Sequence, residues 1–373
     1  MKARHFFLLY FSLYVLSCSP DPNSNNTHRI SLTDTLFIPT TSSELAYGGR
    51  LKQEDVFLFA DLDNGVTILE VNRNGALVAE WEVGGSGPEK IGSTLSAFNY
   101  VNNTAICLVS ERGIYILDRS KGSLLKEKEY LDGSPWFIEK RLVRFNSENK
   151  DLLVFVHASN PEQISIKNPD YFQKTLNFTV YDRIRDSIFL KIGFEKNSRL
   201  RSKNVQPPNI FRLMARRNDK LLCLYSHQPQ IFTYNAFNNF KFIESLPLHP
   251  DNFTISDPDN ELIKRLANSS KYTGLAIDND LILATYRTGI PGEQLKGDLQ
   301  DPRNLQELYA KHNKVYAQVV LDGRKMGTDI LCPPIVHSVE EALGNNLFLF
   351  KPNNSKVEFP NREAYFIGKL EPL

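Results

Sequence analysis

The stretch VFLFADLDNGVTILEVNRNGALVAEW, residues 56–81, decides the fold. Its apolar runs are split at Asn64-Gly65 and Asn74-Gly75. Asn-Gly supplies the positive φ angles of a tight hairpin turn, so the stretch predicts an antiparallel meander. DLDNG within it invites comparison with a calcium loop. It lacks the EF-hand spacing and the twelfth-position glutamate, and the hairpin accounts for it.

The same unit returns along the chain. TAICLVS pairs with GIYILD, DLLVFVHA with LNFTVYD, KLLCLYS with QIFTYN, DLILATY with KVYAQVVLD, and NLFLFK with AYFIGKL. With the opening stretch these make six units, and an inner strand can be placed before each, near residues 47–51, 96–101, 141–145, 211–215, 272–277 and 335–339. Six four-stranded sheets set radially form an all-β, six-bladed β-propeller, whose circular closure leaves few sheet edges open. The last unit ends after its third strand. RISLTDTLFIP, residues 29–39, has no unit of its own and is expected to supply the missing outer strand.

The N-terminus reads as an export signal. Lys2 and Arg4 precede the uncharged run FFLLYFSLYVL, residues 6–16, which is far too short to span a bilayer. Val15, Leu16 and Ser17 before Cys18 resemble the bacterial lipobox, in which the cysteine receives the lipid. The expected organisation is a signal peptide over 1–17, a tether over 18–28 after lipidated Cys18, and one propeller domain over 29–373. Two or more acyl chains hold a protein stably on a membrane. Ser19 is not the aspartate of inner-membrane retention, so the resemblance implies the outer membrane and leaves the leaflet open.

The chain as a whole resembles the six-bladed, TolB-like propeller lipoproteins of the Bacteroidota, in particular a family among them without assigned function. Cys18 in its lipobox, GGSGPEKIG (84–92), TYRTGIP (285–291) and KVYAQVVLDGRKMGTDI (314–330) carry the likeness. Related propellers often read Gly-Pro-Gly-Glu in the first loop, where this chain has Glu89 directly after Pro88. The resemblance implies a fold and a compartment and transfers no catalytic residue.

Composition excludes one class of partner. With 44 basic and 43 acidic residues the chain is near neutral, and no nucleic-acid partner is expected. Cys107, Cys223 and Cys332 form no CxxC, and the first two lie in apolar runs, as buried free thiols do.

Strand alternation sorts the loops onto two faces. Connections from an outer strand to the next inner strand, and from second to third strand, share one face. The long connections, 84–95, 158–175, 195–208, 249–271 and 288–313, all belong to it. Long ordered loops on a rigid scaffold are usually functional. Two of them, DPDNELIKRLANS (257–269) and DPRNLQELYAKHN (301–313), read as short capped helices. On this face the second strands end, blade by blade, at Asp61, Arg112, His157, His227, Arg287 and Lys351, and Arg212 stands at the start of an inner strand. Residues 196–220 add eight Lys or Arg against the single acid Asp219. The pattern points to an anion-preferring funnel for a carboxylate or sulfate on a glycan or peptide, with Arg forks as bidentate donors.

Catalytic signatures are weaker. GGSGP departs from the G-x-S-x-G elbow at Pro88. Histidines 28, 157, 227, 249, 312 and 337 show no paired metal-ligand spacing, and no metal or cofactor is expected. Glu89, Glu293 and Asp298 sit in the long loops, where spacing cannot show whether two come within acid–base reach. The first reading is therefore a noncatalytic binding scaffold for an anionic glycan or peptide or for an outer-membrane protein partner. The second is a polysaccharide hydrolase or lyase.

Overall fold

A computed structural model describes residues 28–42, 44–63, 65–87, 89–129, 141–156, 170–201, 211–255, 261–357 and 362–373. Cys18 and His157 lie outside the described residues.

The chain opens with β1 (His28–Ile38) and then lays down blades in sequence. Blade 1 is β2 (Leu45–Leu51), β3 (Val56–Asp61), β4 (Thr67–Asn72) and β5 (Leu77–Glu82); blade 2 is β6 (Leu95–Asn102), β7 (Ala105–Ser110), β8 (Gly113–Asp118) and β9 (Leu124–Glu129). Blade 3 is β10 (Leu142–Ser147), β11 (Lys150–Val156), β12 (Leu176–Asp182) and β13 (Ser187–Gly193), with the single-turn α1 (Tyr171–Lys174) between its middle strands. Blade 4 is β14 (Arg212–Arg217), β15 (Lys220–Tyr225), β16 (Gln230–Asn235) and β17 (Lys241–Pro247), followed by α2 (Leu262–Asn268). Blade 5 holds β18 (Lys271–Asp278), β19 (Leu281–Arg287), α3 (Pro302–His312), β20 (Val315–Leu321), β21 (Arg324–Lys325) and β22 (Ile330–Leu331). Blade 6 is β23 (Val336–Gly344), β24 (Leu347–Pro352) and β25 (Glu363–Pro372), completed by β1.

All six inner strands fall where the sequence puts them, and the ring closes as expected: β1 runs antiparallel to β25 from His28 opposite Pro372 to Ile38 opposite Glu363. The decisive meander forms β3 to β5. Its second turn has Gly75 at φ 82°, and the Asn72 side chain accepts from the Asn74 and Ala76 amides. One outer strand departs from the four-stranded plan. In blade 5 it breaks into β21 and β22, both paired to β20. Between them the chain turns at Gly327, φ 68°, and carries Asp329 inward to accept from the Tyr286 hydroxyl (2.6 Å) and to form an ion pair with the Lys325 ammonium (2.9 Å).

The core is divided among the seams between blades. Each of the six seams holds one apolar cluster, fed by the alternate side chains that point to opposite faces of a strand. Middle strands are buried on both faces, so β3 reads as the nearly continuous apolar run Val56 to Ala60. Cys107, Cys223 and Cys332 are buried in these seams.

Both loop helices are present. α3 is capped as its sequence specifies, with the Asp301 carboxylate accepting from the Arg303 amide (2.9 Å) and Pro302 in the first turn.

Candidate functional site: a basic vestibule on the loop-bearing face

The inner strands surround an axial channel that widens into a vestibule at each end. The upper vestibule, about 270 Å³, opens on the loop-bearing face and is lined by Phe211, Arg212, Lys271 and His337 at or beside the starts of inner strands and by Lys351 near the end of β24, with Tyr365 beside them. The lower one, about 580 Å³, opens among the short turns, where Arg50, Lys52, Asn99, Arg144, Arg216 and Glu341 line it.

Strand pairing places the upper cations. Lys271 begins β18, and its partner in register is Arg287 at the end of β19, so two cations stand directly opposite one another. Lys351 on β24 is paired with Ser338, and a register shift between Val336 and Ser338 makes His337 the extra residue of a β-bulge. Bulges re-aim side chains, and here the shift leaves His337 among the vestibule residues. Arg212 begins β14 with its guanidinium 5.6 Å from the centre of the Phe194 ring.

The electrostatics follow from burial and from like charges. Burial pulls the Lys271 ammonium down to about 7, and Arg287 adds to the effect. Burial also lowers the Arg287 guanidinium, offset in part by Tyr309. His337 falls to about 3, first through burial and then through Lys351, Arg287 and Lys271, and so is a neutral imidazole at physiological pH. Among the described residues, no carboxylate acts on Lys271, Arg287 or His337. Glu363 stands near Lys351, its carboxyl raised by burial and lowered by that lysine. Among the described residues Glu340 is the one acid in the lining, and it is paired with Arg141 at 3.3 Å. Aromatic faces take the place of counter-ions: the Lys271 ammonium lies 4.7 Å from the Phe211 ring centre and Arg287 lies 4.9 Å from that of Tyr309 on α3.

The lower vestibule is larger, but its charges are largely committed. Arg50 pairs with Asp55, Arg144 with Asp151 at 2.6 Å, and Glu341 accepts from the Tyr47 hydroxyl. Volume therefore favours the lower cavity and available charge the upper. A site for an anion is defined by charge.

The sequence-derived site residues separate into two groups. Arg212 and Lys351 line the upper vestibule, and Arg287 is held beside Lys271. His227 is turned to the seam with blade 5, its Nδ1 3.0 Å from the Ser270 carbonyl oxygen. Arg112 lies against the glycine-rich loop, donating to the Gly87 carbonyl oxygen (3.3 Å), and is absent from both linings. Asp61 is engaged by the Thr40 hydroxyl at 2.8 Å. Glu89, Glu293 and Asp298 are exposed in their loops and outside the vestibule. Among the described residues, no group of three or more His, Cys, Asp or Glu is arranged to hold a metal ion.

Sequence reasoning missed Lys271, His337, Tyr365 and Arg141. The first two and Arg141 occupy the same place as Arg212, at or beside the start of an inner strand. Extending that one position around the ring was the available signal.

No family model matches the chain, and no curated protein matches it. Solved structures do overlap it. A luciferin-regenerating enzyme is 9% identical with TM-score 0.46, over 90% of this chain and 94% of that one. Regucalcin, a calcium-binding protein from Agrobacterium tumefaciens, is 10% identical with TM-score 0.46, over 90% and 94%. Oligogalacturonate lyase from Vibrio parahaemolyticus is 10% identical with TM-score 0.46, over 92% and 98%. The six-bladed assignment rests on the chain's own sheet order.

Proposed function

We propose that this protein is an outer-membrane lipoprotein, anchored through Cys18 and akin to the TolB-like propeller lipoproteins, whose loop-bearing face binds an acidic glycan without transforming it. One observation carries the reading: Lys271 and Arg287 face each other in register beside Lys351, and among the described residues no carboxylate acts on either member of that pair. Like charges directly opposite on adjacent strands destabilise a sheet. A bound carboxylate or sulfate would reverse that cost through charge-assisted hydrogen bonds. A glycan is favoured over an acidic peptide because the half-buried Phe211 ring offers a sugar an apolar face next to the cations.

The test is a screen of acidic glycans, acidic peptides and neutral controls. Arg212→Ala and Arg287→Ala should each weaken an acidic-glycan ligand roughly tenfold or more, as expected for a lost charged hydrogen bond. Binding should also fall with salt. Unchanged binding in both variants refutes the site, and binding only of acidic peptides or of a membrane protein moves the assignment to that partner.

A lyase is the second reading, favoured by Lys271 alone. With a pKa of about 7 it is largely a free amine above neutral pH. Such an amine could take the C5 proton of a uronate whose carboxylate the neighbouring cations hold; the C4–O bond would break, the departing O4 taking up a proton from water, and a C4=C5 double bond would form. Ultraviolet absorbance of that unsaturated product separates the two readings. A hydrolase has less support, because among the described residues the lining holds Glu340 as its single acid and Arg141 occupies it.

A further inference from the structure

The upper vestibule has a floor. Arg141, just before β10, donates from Nη1 to the carbonyl oxygens of Leu275 (2.8 Å) and Met214 (3.5 Å), and from Nη2 to the backbone and side chain of Glu340. One guanidinium therefore reaches from blade 3 to the inner strands of blades 4, 5 and 6, β14, β18 and β23. Tyr47, Arg141 and Glu340 line both vestibules, so they form the partition between them. Nearby, Gly48 packs so closely on the Phe98 ring that a Cβ would overlap it.

We propose that the upper vestibule is a dead-end pocket that takes the single acidic sugar at the end of a glycan chain. A polymer threading past the cations needs an exit, and the Arg141 partition closes the channel below them. The cavity of about 270 Å³ falls below the roughly 300–1,000 Å³ of sites that enclose drug-sized ligands, which suits one sugar ring. Tyr365 supplies the second, independent sign of a ligand. It is 1% exposed, lines this vestibule, and its hydroxyl has no hydrogen-bond partner among the described residues. A buried hydroxyl without a partner costs free energy that a ring hydroxyl of the ligand would offset.

This inference rests on the acidic-glycan reading, and the experiment separates the two. Free D-glucuronate, D-galacturonate and N-acetylneuraminate are titrated into the full-length protein in detergent, beside glucuronate-ended hyaluronan, polygalacturonate and polysialic acid. The expected result is that one free monosaccharide binds within about tenfold of its polymer when the polymer is counted by chain ends, and that Lys271→Met and Lys351→Met each weaken both about tenfold or more. A polymer that binds in proportion to its internal repeats while its monosaccharide does not bind overturns the terminal-residue inference and leaves the glycan reading standing. Failure of every acidic sugar and polymer to bind overturns both.

Discussion

Lys271 is held where a lysine is least comfortable, half-buried and opposite Arg287. Its pKa of about 7 lies below the roughly 10.4 of an unfolded lysine. Between these values the unfolded chain binds more protons than the folded one, so this residue makes stability rise with pH from about 7 to about 10. Lys271→Met should therefore melt above the parent at pH 6, with the gap closing by about pH 10. His337, at about 3, does not titrate in that window. An anion bound beside Lys271 restores its charge, so binding at pH 8 should take up a proton, seen as a calorimetric heat that changes with the buffer's ionisation enthalpy; a buffer-independent heat would rule this out. A structural counterpart is Glu70, 1% exposed and held by Arg119 at 2.5 and 2.8 Å. Arg119→Met leaves that carboxylate buried and unpaired, at an expected cost of ~3–5 kcal/mol in urea denaturation. Adding Glu70→Leu should recover most of it.

At the scale of elements, β1 is the strand with most to lose. It binds the end of the chain to its beginning, and its Leu36 and Ile38, both 0% exposed, fill the seam between blades 6 and 1. Deleting residues 29–39 bares the edge of β25 and opens that seam. The deletion should replace one cooperative melting transition with an early, broad one, and an unchanged melting curve would show that the ring does not depend on it. The interrupted outer strand of blade 5 was not legible in the sequence. KVYAQVVLDGRKMGTDI alternates as a hairpin should, and nothing in that alternation says that Asp329 is drawn inward to Tyr286 on β19.

Across the whole molecule, the ring sets direction. β1 starts opposite the end of β25, at the face of short turns, and ends opposite its start, at the face of long loops. A lipid on Cys18 would therefore tether the propeller from its turn face and leave the basic vestibule pointing away. Among the described residues no helix is long and apolar enough to cross a membrane. In this proposal attachment rests on the lipid. Cys18→Ser should abolish incorporation of labelled fatty acid and move the protein into the soluble fraction. Retention in the membrane without label would refute the anchor.

The sequence by itself determined the six units, the placement of every inner strand, the closing role of residues 29–39, the two loop helices and the face that carries the long loops. These are local properties: Asn-Gly turns, alternation with period two and capping residues act through near neighbours along the chain. Tertiary structure alone decided which charges converge. Arg287 and Lys351 meet Lys271 and His337 because strand register and one bulge bring them together, while Arg112, at the matching strand end of blade 2, is drawn to the glycine-rich loop instead. The partition below them is beyond sequence for the same reason. Arg141 reaches carbonyl oxygens on three other blades, and a contact across the axis joins residues up to 199 positions apart that share no local pattern.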